Sequence, residues 1–179
     1  MNHADALALL SAAVGSVEGE TWADLGAGGG TFTRALAALV GPGGRVYAVD
    51  ADPRAVASLA RLPSDPASAA VIAMERDVSQ PLGLPPLDGI VMGNVLHFIA
   101  GAEQALAAIA GQLRPGGQLV LIEYENRAAS RWVPHPVPFA RFQALATGAG
   151  LSVPTRVATR PSAYGGELYV ASALRVAGS

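Results

Sequence analysis

The sequence predicts an α/β fold built on a doubly wound, mostly parallel sheet of seven strands. Five short apolar segments alternate with helical patterns over residues 21–124. Such alternation is typical of parallel strands joined by right-handed crossovers. A glycine-rich turn separates the first strand from the helix after it, and two further strand-like segments follow towards the end of the chain. With 179 residues the chain is long enough for a single domain with a substantial core.

The predicted helices follow apolar residues at helical spacing and end at glycine or proline. Leu7, Leu10 and Val14 share one face of the first helix, and Asp52 and Pro53 are a suitable cap and first residue for the third. In order, we predict helices over residues 4–16, 31–40, 53–63, 102–113 and 139–149, with the fourth stopped by Arg114-Pro115-Gly116-Gly117.

The predicted strands are short apolar runs bounded by turn residues. Residues 125–138 form an irregular segment with three prolines around His135, and it separates the fifth strand from the last helix. In order, we predict strands over residues 21–23, 45–50, 69–74, 89–92, 118–124, 153–159 and 167–174.

Composition excludes several classes of protein and of site. Hydrophobic residues make up 51% and charged residues 15% of the chain, with a net charge of −2, so we expect no surface for nucleic acid or for an anionic membrane. The chain has no cysteine, which excludes disulfides, thiolate metal sites and a thiol nucleophile, and we predict no metal site. All 12 basic residues are arginine, which excludes a lysine Schiff base. The start of the chain does not resemble a signal peptide, so we expect a cytoplasmic protein. We also expect a monomer or a homodimer.

The glycine turn carries the most specific spacing in the chain. Asp24, Gly26, Gly28 and Gly30 fit the pattern acid-x-G-x-G-x-G, whereas the dinucleotide pattern G-x-G-x-x-G/A fails from either starting glycine. Asp50 ends the second strand twenty residues past Gly30, the distance expected for a carboxylate that binds ribose hydroxyls. A helix-capping role is the alternative for Asp50, although Asp52 suits that role better.

At these residues the chain resembles the class I S-adenosylmethionine-dependent methyltransferases. The resemblance covers about residues 20–125 and extends to the fourth-strand segment Leu87–Phe98 and to Leu113–Gly117 before the fifth strand. It implies S-adenosylmethionine as cofactor and a sheet whose last strand is antiparallel. It also implies a single domain over 1–179, with an N-terminal helix in 1–20, a cofactor-binding core in 21–125, and a substrate-side loop, helix and closing hairpin in 126–179.

The resemblance implies a role for each residue at the cofactor site. The acid Asp24 would organise the loop and face the methionine ammonium, although it also suits capping of local turn N–H groups. Asp77 and the Val78 N–H would bind the adenine edge, with a solvated loop acid as the alternative, and Asn94 would lie beside the donor methyl. The full predicted set of cofactor-binding residues is Asp24, Gly26, Ala27, Gly28, Gly30, Asp50, Ala51, Asp77, Val78 and Asn94.

Residues for the methyl acceptor are harder to assign from sequence. His97 is a candidate general base, and the alternative is a histidine at a helix start with a local hydrogen bond. Tyr124, Arg127 and Tyr164 lie where loops leave the carboxyl edge of the sheet, the edge at which open α/β sheets bind ligands. His135 is a further candidate, and its alternative is a rigid proline-rich connector.

The sequence therefore predicts methyl transfer from S-adenosylmethionine to a small organic acceptor, on oxygen, nitrogen or carbon. An NAD(P)-binding oxidoreductase explains the glycine turn and Asp50 but not the glycine spacing or Asp77. A non-catalytic cofactor-binding or scaffold protein on the same fold is the third hypothesis.

Overall fold

The computed structural model describes residues 1–15, 17–162 and 165–177. Their elements follow the predicted alternation of helices and strands. The helices are α1 (His3–Val14), α2 (Thr31–Val40), α3 (Pro53–Leu59), α4 (Ala102–Ala110) and α5 (Phe139–Gly148), with a short 3₁₀ turn at Leu96–Phe98. The strands are β1 (Thr21–Leu25), β2 (Arg45–Asp50), β3 (Ala70–Glu75), β4 (Leu87–Gly93), β5 (Leu113–Tyr124), β6 (Thr155–Pro161) and β7 (Glu167–Leu174).

The seven strands form one sheet in the order β3-β2-β1-β4-β5-β7-β6. Strands β1 to β5 pair in parallel, and β7 runs antiparallel to both β5 and β6. The predicted fold class, including the antiparallel last strand, is confirmed. The strand order reverses between β1 and β4, and at such a point the carboxyl ends of the strands leave a crevice where open α/β sheets bind ligands.

Helices cover both faces of the sheet because its buried strands are apolar on both sides. In β4, Ile90 and Met92 pack with α4 and α5, whereas Val91 between them packs with α1 and α2. This alternation follows from the period of two along a strand. No helix in the described part of the chain is long and apolar enough to cross a membrane.

The boundary between α4 and β5 differs from the prediction. Residues 111–113 were expected to continue the helix, with Arg114-Pro115-Gly116-Gly117 as its stop, but α4 ends at Ala110 and β5 begins at Leu113. Leu113 pairs with Leu87 of β4, and an irregularity in the register separates this pair from the pair Gly89–Gln118. The proline and glycines are therefore accommodated inside an irregular strand, since pairing with β4 overrides the local turn signal.

Glycine 89 shows how tightly the centre of the sheet is packed. It lies beside Trp22 of β1 in register, and a Cβ at this position would come within 2.4 Å of the buried Trp22 ring. We expect Gly89→Ala to lower the free energy of unfolding by about 1–3 kcal/mol, because the ring has no free volume into which to move. Urea unfolding followed by tryptophan fluorescence measures the change.

Gly148 at the end of α5 provides the matched control. No atom lies within 4 Å of a Cβ added there. Gly148→Ala should leave stability unchanged or raise it by up to about 1 kcal/mol. Equal stability of the Gly89 and Gly148 variants would contradict the packing argument.

Candidate functional site

The glycine turn after β1 forms the floor of the site. Gly26, Gly28 and Gly30 have φ values of 73°, 51° and 76°, a backbone region that glycine adopts without steric cost. A Cβ on Gly26 would also lie 2.2 Å from the Val95 Cγ2 atom. The N–H groups of Gly26 and Ala27 both donate to the Val49 carbonyl, at 2.8 and 2.9 Å, and anchor the turn on the end of β2. The glycine spacing recognised in the sequence is therefore required by backbone geometry and by close contact.

Asp50 connects the glycine turn to the end of β2. Its Oδ2 accepts a hydrogen bond from the Gly28 N–H at 2.7 Å, and its Oδ1 accepts one from the Asp52 N–H at 2.9 Å. Asp52, not Asp50, caps α3 by accepting from the Arg54 N–H at 2.9 Å. The capping alternative for Asp50 is therefore wrong, and its carboxylate lies at the cavity described below.

Asp24 is buried beneath the same turn, with 1% of its surface exposed. Its Oδ2 accepts a hydrogen bond of 2.6 Å from the hydroxyl of Thr33 in the first turn of α2. Burial raises the pKa of the Asp24 carboxyl to about 6, and the negative charge of Asp50 adds to the effect, while the Thr33 hydrogen bond opposes it. Asp24 thus connects β1 to α2 from below the turn.

Asp77 lies in the loop after β3 and is exposed. Its Oδ1 accepts two hydrogen bonds of 2.8 Å from Ser79, one from the backbone N–H and one from the hydroxyl. These bonds favour the charged form and hold the pKa of Asp77 below its usual value. The local bonds fix the orientation of the Asp77 carboxylate.

Asn94 has an unusual backbone at the end of β4. Its φ of 58° makes it the one residue other than glycine with positive φ among those that the structure describes. Its N–H donates to the Ile122 carbonyl at 2.8 Å, whereas its side-chain Oδ1 is buried and has no partner in the described part of the chain. A strained backbone and an unpaired buried acceptor at one residue are typical of a ligand site.

Some of these residues border a cavity of about 930 Å³ at the carboxyl edge of the sheet. Six predicted cofactor residues line it, whereas Asp24, Ala27, Gly28 and Gly30 are not among its lining residues. The facing wall is mainly apolar and comes from the 3₁₀ turn and α4, including Val95, Phe98 and Ala105. The six predicted residues that line the cavity are Gly26, Asp50, Ala51, Asp77, Val78 and Asn94.

His97 follows in the 3₁₀ turn, and its hydrogen-bond partner is distant in sequence. Its Nδ1 lies 2.8 Å from the Glu123 Oε2 at the end of β5, and its backbone N–H donates to the Glu123 Oε1 at 3.2 Å. His97 and Glu123 are 2% and 0% exposed. The alternative for His97, a local hydrogen bond of its side chain, is therefore wrong. Sequence reasoning missed Glu123, although a single carboxylate among the apolar residues of β5 was a signal for a buried partner.

The other predicted acceptor residues lie around this pair or outside the described residues. The ring of Tyr124 has its centroid 5.8 Å from that of His97, and the Arg127 guanidinium lies 4.9 Å from the Tyr124 ring centroid. The His135 N–H donates to the His97 carbonyl at 2.9 Å, so the proline-rich segment packs against the 3₁₀ turn. Tyr164 lies outside the described residues.

The raised pKa of Asp24 predicts a dependence of stability on pH. The pKa is about 6 in the folded protein against an ordinary 3.8, so the folded state binds this proton more tightly than the unfolded state does. The resulting stabilisation is complete below about pH 4 and is lost as the pH rises through about 6. Between about pH 4 and pH 7, the wild type should lose on the order of 2–3 kcal/mol of stability relative to Asp24→Asn.

Urea unfolding of both proteins across that pH range measures this difference. Glu18→Gln is the control, because Glu18 is exposed and its removal should give a constant difference from the wild type. A gap between wild type and Asp24→Asn that does not change with pH would contradict the assignment.

Comparison with known proteins identifies the family of the chain. The sequence profile of the methyltransferase domain matches residues 23–119, which include the glycine turn, Asp50, Asp77, Asn94 and His97. An uncharacterized 37.1 kDa protein in transposon TN4556 of Streptomyces fradiae is 31% identical over an alignment 161 positions long, and the match covers 78% of this chain and 45% of that protein. The chain thus spans about half the length of this curated relative.

Solved structures share the fold. A SAM-dependent methyltransferase from Aquifex aeolicus superposes with a TM-score of 0.70 at 20% identity, covering 90% of this chain and 85% of that one. The 1,6-didemethyltoxoflavin-N1-methyltransferase of Burkholderia thailandensis, with 1,6-didemethyltoxoflavin and S-adenosylhomocysteine bound, gives a TM-score of 0.71 at 26% identity, covering 98% of this chain and 78% of that one. With the profile match over more than half of its residues, this chain belongs to the methyltransferase domain family.

Proposed function

We propose that the chain binds S-adenosylmethionine in the 930 Å³ cavity and transfers its methyl group to a small organic acceptor. The observation that carries this proposal is the charge of the cavity wall. Among the described lining residues the charged side chains are the carboxylates of Asp50 and Asp77, and none is cationic. Such a wall suits a ligand with positive groups, a sulfonium and an ammonium, and opposes the pyrophosphate of a nicotinamide dinucleotide.

The hydrogen-bonding groups of the cavity fit the neutral parts of the same cofactor. Each carboxylate oxygen of Asp50 accepts one protein hydrogen bond and has capacity for another, which matches the two hydroxyls of a ribose. Asp77 Oδ2 and the Val78 N–H are an acceptor and a donor for the adenine edge. The Oδ1 of Asn94, which has no partner in the part of the chain that the structure describes, is an acceptor for the ammonium. The apolar wall that includes Phe98 faces these groups across the cavity, where a planar base packs well.

The proposed reaction depends mainly on positioning. When bound, S-adenosylmethionine supplies an electrophilic methyl group on its sulfonium. The chain's own residues fix the direction of attack, because the glycine turn, Asp50 and Asn94 hold one reactant at the point where the strand order reverses. Alignment of this kind is worth on the order of 7–11 kcal/mol of an activation barrier.

The acceptor enters beside the cofactor in this proposal. Residues 21–125 form the cofactor half, and residues 126–179 contribute the acceptor side. Tyr124 at the end of the cofactor half and His135 both lie next to His97, and Arg127 lies over the Tyr124 ring. The Burkholderia relative acts as an N1-methyltransferase with 1,6-didemethyltoxoflavin bound, which supports a small-molecule acceptor here.

Calorimetry with S-adenosylmethionine and with NAD(P)H tests the cofactor assignment. We expect micromolar binding of S-adenosylmethionine and none of NAD(P)H. Asp50→Ala should weaken S-adenosylmethionine binding about 10–100-fold, because it removes charge-assisted hydrogen bonds to the ribose and the Gly28 contact that shapes the turn.

Glu18→Gln is again the matched control, since it removes one negative charge from an exposed position that does not line the cavity, and its affinity should equal that of the wild type. Binding of NAD(P)H alone would replace the proposal with an oxidoreductase. Binding of neither ligand would favour a scaffold protein on the same fold.

A further inference from the structure

Charge is distributed unevenly between the cofactor half and the acceptor side. Residues 1–125, which include the cofactor half, contain 13 acidic residues and six arginines, whereas residues 126–179 contain six arginines and one acidic residue, Glu167. The cofactor half therefore has an excess of negative charge and the acceptor side an excess of positive charge. Neighbouring parts of a site that differ in sign attract ligand groups of opposite charge.

Most of the arginines on the acceptor side are bonded to the chain itself. Four of the six are bonded to carboxylates or backbone carbonyls of the described residues: Arg141, Arg156, Arg160 and Arg175. The other two lie over aromatic rings. The Arg127 guanidinium lies 4.9 Å from the Tyr124 ring centroid, and that of Arg131 lies 4.5 Å from the Trp132 ring centroid. Arg131 is exposed and makes no ion pair within the described residues, so its charge is available to a ligand.

Arg131 and Trp132 occupy the tip of a short turn, residues 130–133. Ser130 and Val133 close this turn with two backbone hydrogen bonds of 3.1 and 3.2 Å, and the Ser130 Oγ accepts from the Trp132 N–H at 3.3 Å. Val133 is buried and anchors the turn in the interior. The Arg131–Trp132 turn therefore presents a cation and an indole ring side by side at the surface, on a backbone that is fixed at both ends.

The Arg131–Trp132 turn is attached to the wall of the cofactor cavity. The His135 N–H, two residues past the turn, donates to the His97 carbonyl, and Phe98 lines the cavity. Phe98 and Trp132 are 55% and 67% exposed, and they are the aromatic members among the large exposed hydrophobic side chains of the described chain. One hydrogen bond thus joins the two segments that carry them. Exposed rings beside a cavity offer a surface on which a planar ligand packs.

We propose that the Arg131–Trp132 turn binds the methyl acceptor, and that this acceptor is a planar ring compound with a carboxylate group. The inference rests on the proposed function and names its acceptor class. The turn does not line the cavity, so the nucleophilic atom lies in the cavity and the carboxylate projects from it to the turn. The ring packs on Phe98, Arg131 pairs with the carboxylate, and Trp132 holds the guanidinium in place. Arg131 is a specificity-determining residue.

The chemistry of arginine favours a carboxylate at this position. A guanidinium donates two parallel hydrogen bonds to a carboxylate, and stacking on an indole ring leaves the donors at its edge free for that pairing. A nucleic acid would require several available cations along one surface, whereas four of the six arginines here are already bonded to the chain. An exposed tryptophan beside an arginine is also common at protein–protein contacts, so the experiment must separate a ligand from a protein partner.

Probes of equal shape and different charge test the proposal. 2-Naphthoate and its neutral isostere 2-naphthamide are titrated by calorimetry into protein saturated with S-adenosylhomocysteine, and benzoate and benzamide repeat the test with a smaller ring. The wild type should bind each carboxylate at least about tenfold more tightly than its amide. Arg131→Gln should bring this ratio to about one by weakening the carboxylate alone. Arg131→Lys should keep part of the ratio, because it retains the charge without the planar fork.

Two controls show that the variants remain folded and that the effect is local. Each Arg131 variant should bind S-adenosylhomocysteine as the wild type does, because Arg131 is exposed and does not line the cavity. Arg61→Gln removes a positive charge from another exposed position outside the cavity, and it should keep the wild-type ratio between carboxylate and amide.

Tryptophan fluorescence gives a second readout at the turn itself. The chain has two tryptophans, and Trp22 is buried, so quenching by acrylamide reports mainly on Trp132. Saturating benzoate should reduce this quenching in the wild type, because a carboxylate on Arg131 covers the neighbouring ring. The same concentration of benzamide should not reduce it, and neither probe should do so in Arg131→Gln.

The inference is overturned if the wild type, with S-adenosylhomocysteine bound, binds carboxylates no more tightly than amides or binds neither. It is also overturned if Arg131→Gln keeps the wild-type ratio. A dimer that dissociates on Trp132→Ala, with probe binding unchanged, would reassign the turn to a protein contact. Each of these results leaves the cofactor assignment in place. Failure of the wild type to bind S-adenosylmethionine and S-adenosylhomocysteine would instead remove the proposed function, and this inference with it.

Discussion

The end of β2 holds the glycine turn in place through three hydrogen bonds from backbone N–H groups. Gly28 donates to the Asp50 carboxylate at 2.7 Å, and Gly26 and Ala27 donate to the Val49 carbonyl. These bonds require β1 and β2 to end side by side, which the pairing of Leu25 with Val49 provides. The start of α2, the floor of the cavity and the position of Asp50 towards a ligand all depend on this attachment.

Negative charge is concentrated around the junction between the glycine turn and the end of β2. Asp24 is a buried carboxylate with a raised pKa, and Asp50 and Asp77 supply negative charge to the cavity wall. Asn94 has a strained backbone and an oxygen with no partner among the described residues. Buried charge and backbone strain lower the stability of the fold. The closely packed core around them offsets this loss, and the contact of Trp22 with Gly89 shows how close the packing is. A protein that binds a cationic cofactor has a physical reason to maintain such a local excess of acceptors and negative charge.

Much of the cofactor side was accessible from the sequence, because its signals are local. Glycine spacing reflects backbone geometry within five residues, Asp50 is the last residue of β2, and Asp77 lies two residues past the end of β3. Parallel strands bring their carboxyl ends to one edge, so residues far apart in sequence were predicted to converge there. The partner of His97 was less accessible. The His97–Glu123 pair joins residues on different strand ends, and no local pattern distinguishes it from a histidine with a nearby partner.

The sequence by itself determined the alternation of helices and strands, the fold class, the glycine turn and the carboxylates beside it, since each depends on periodicity or spacing within one segment. Tertiary structure alone decided three further features. Pairing with Leu87 drew residues 113–117 into β5 against their turn signal. Burial beneath the glycine turn raised the pKa of Asp24. The approach of β5 to the 3₁₀ turn gave His97 its carboxylate partner. Each of these depends on a distance between segments, and such distances exist only once the sheet has formed.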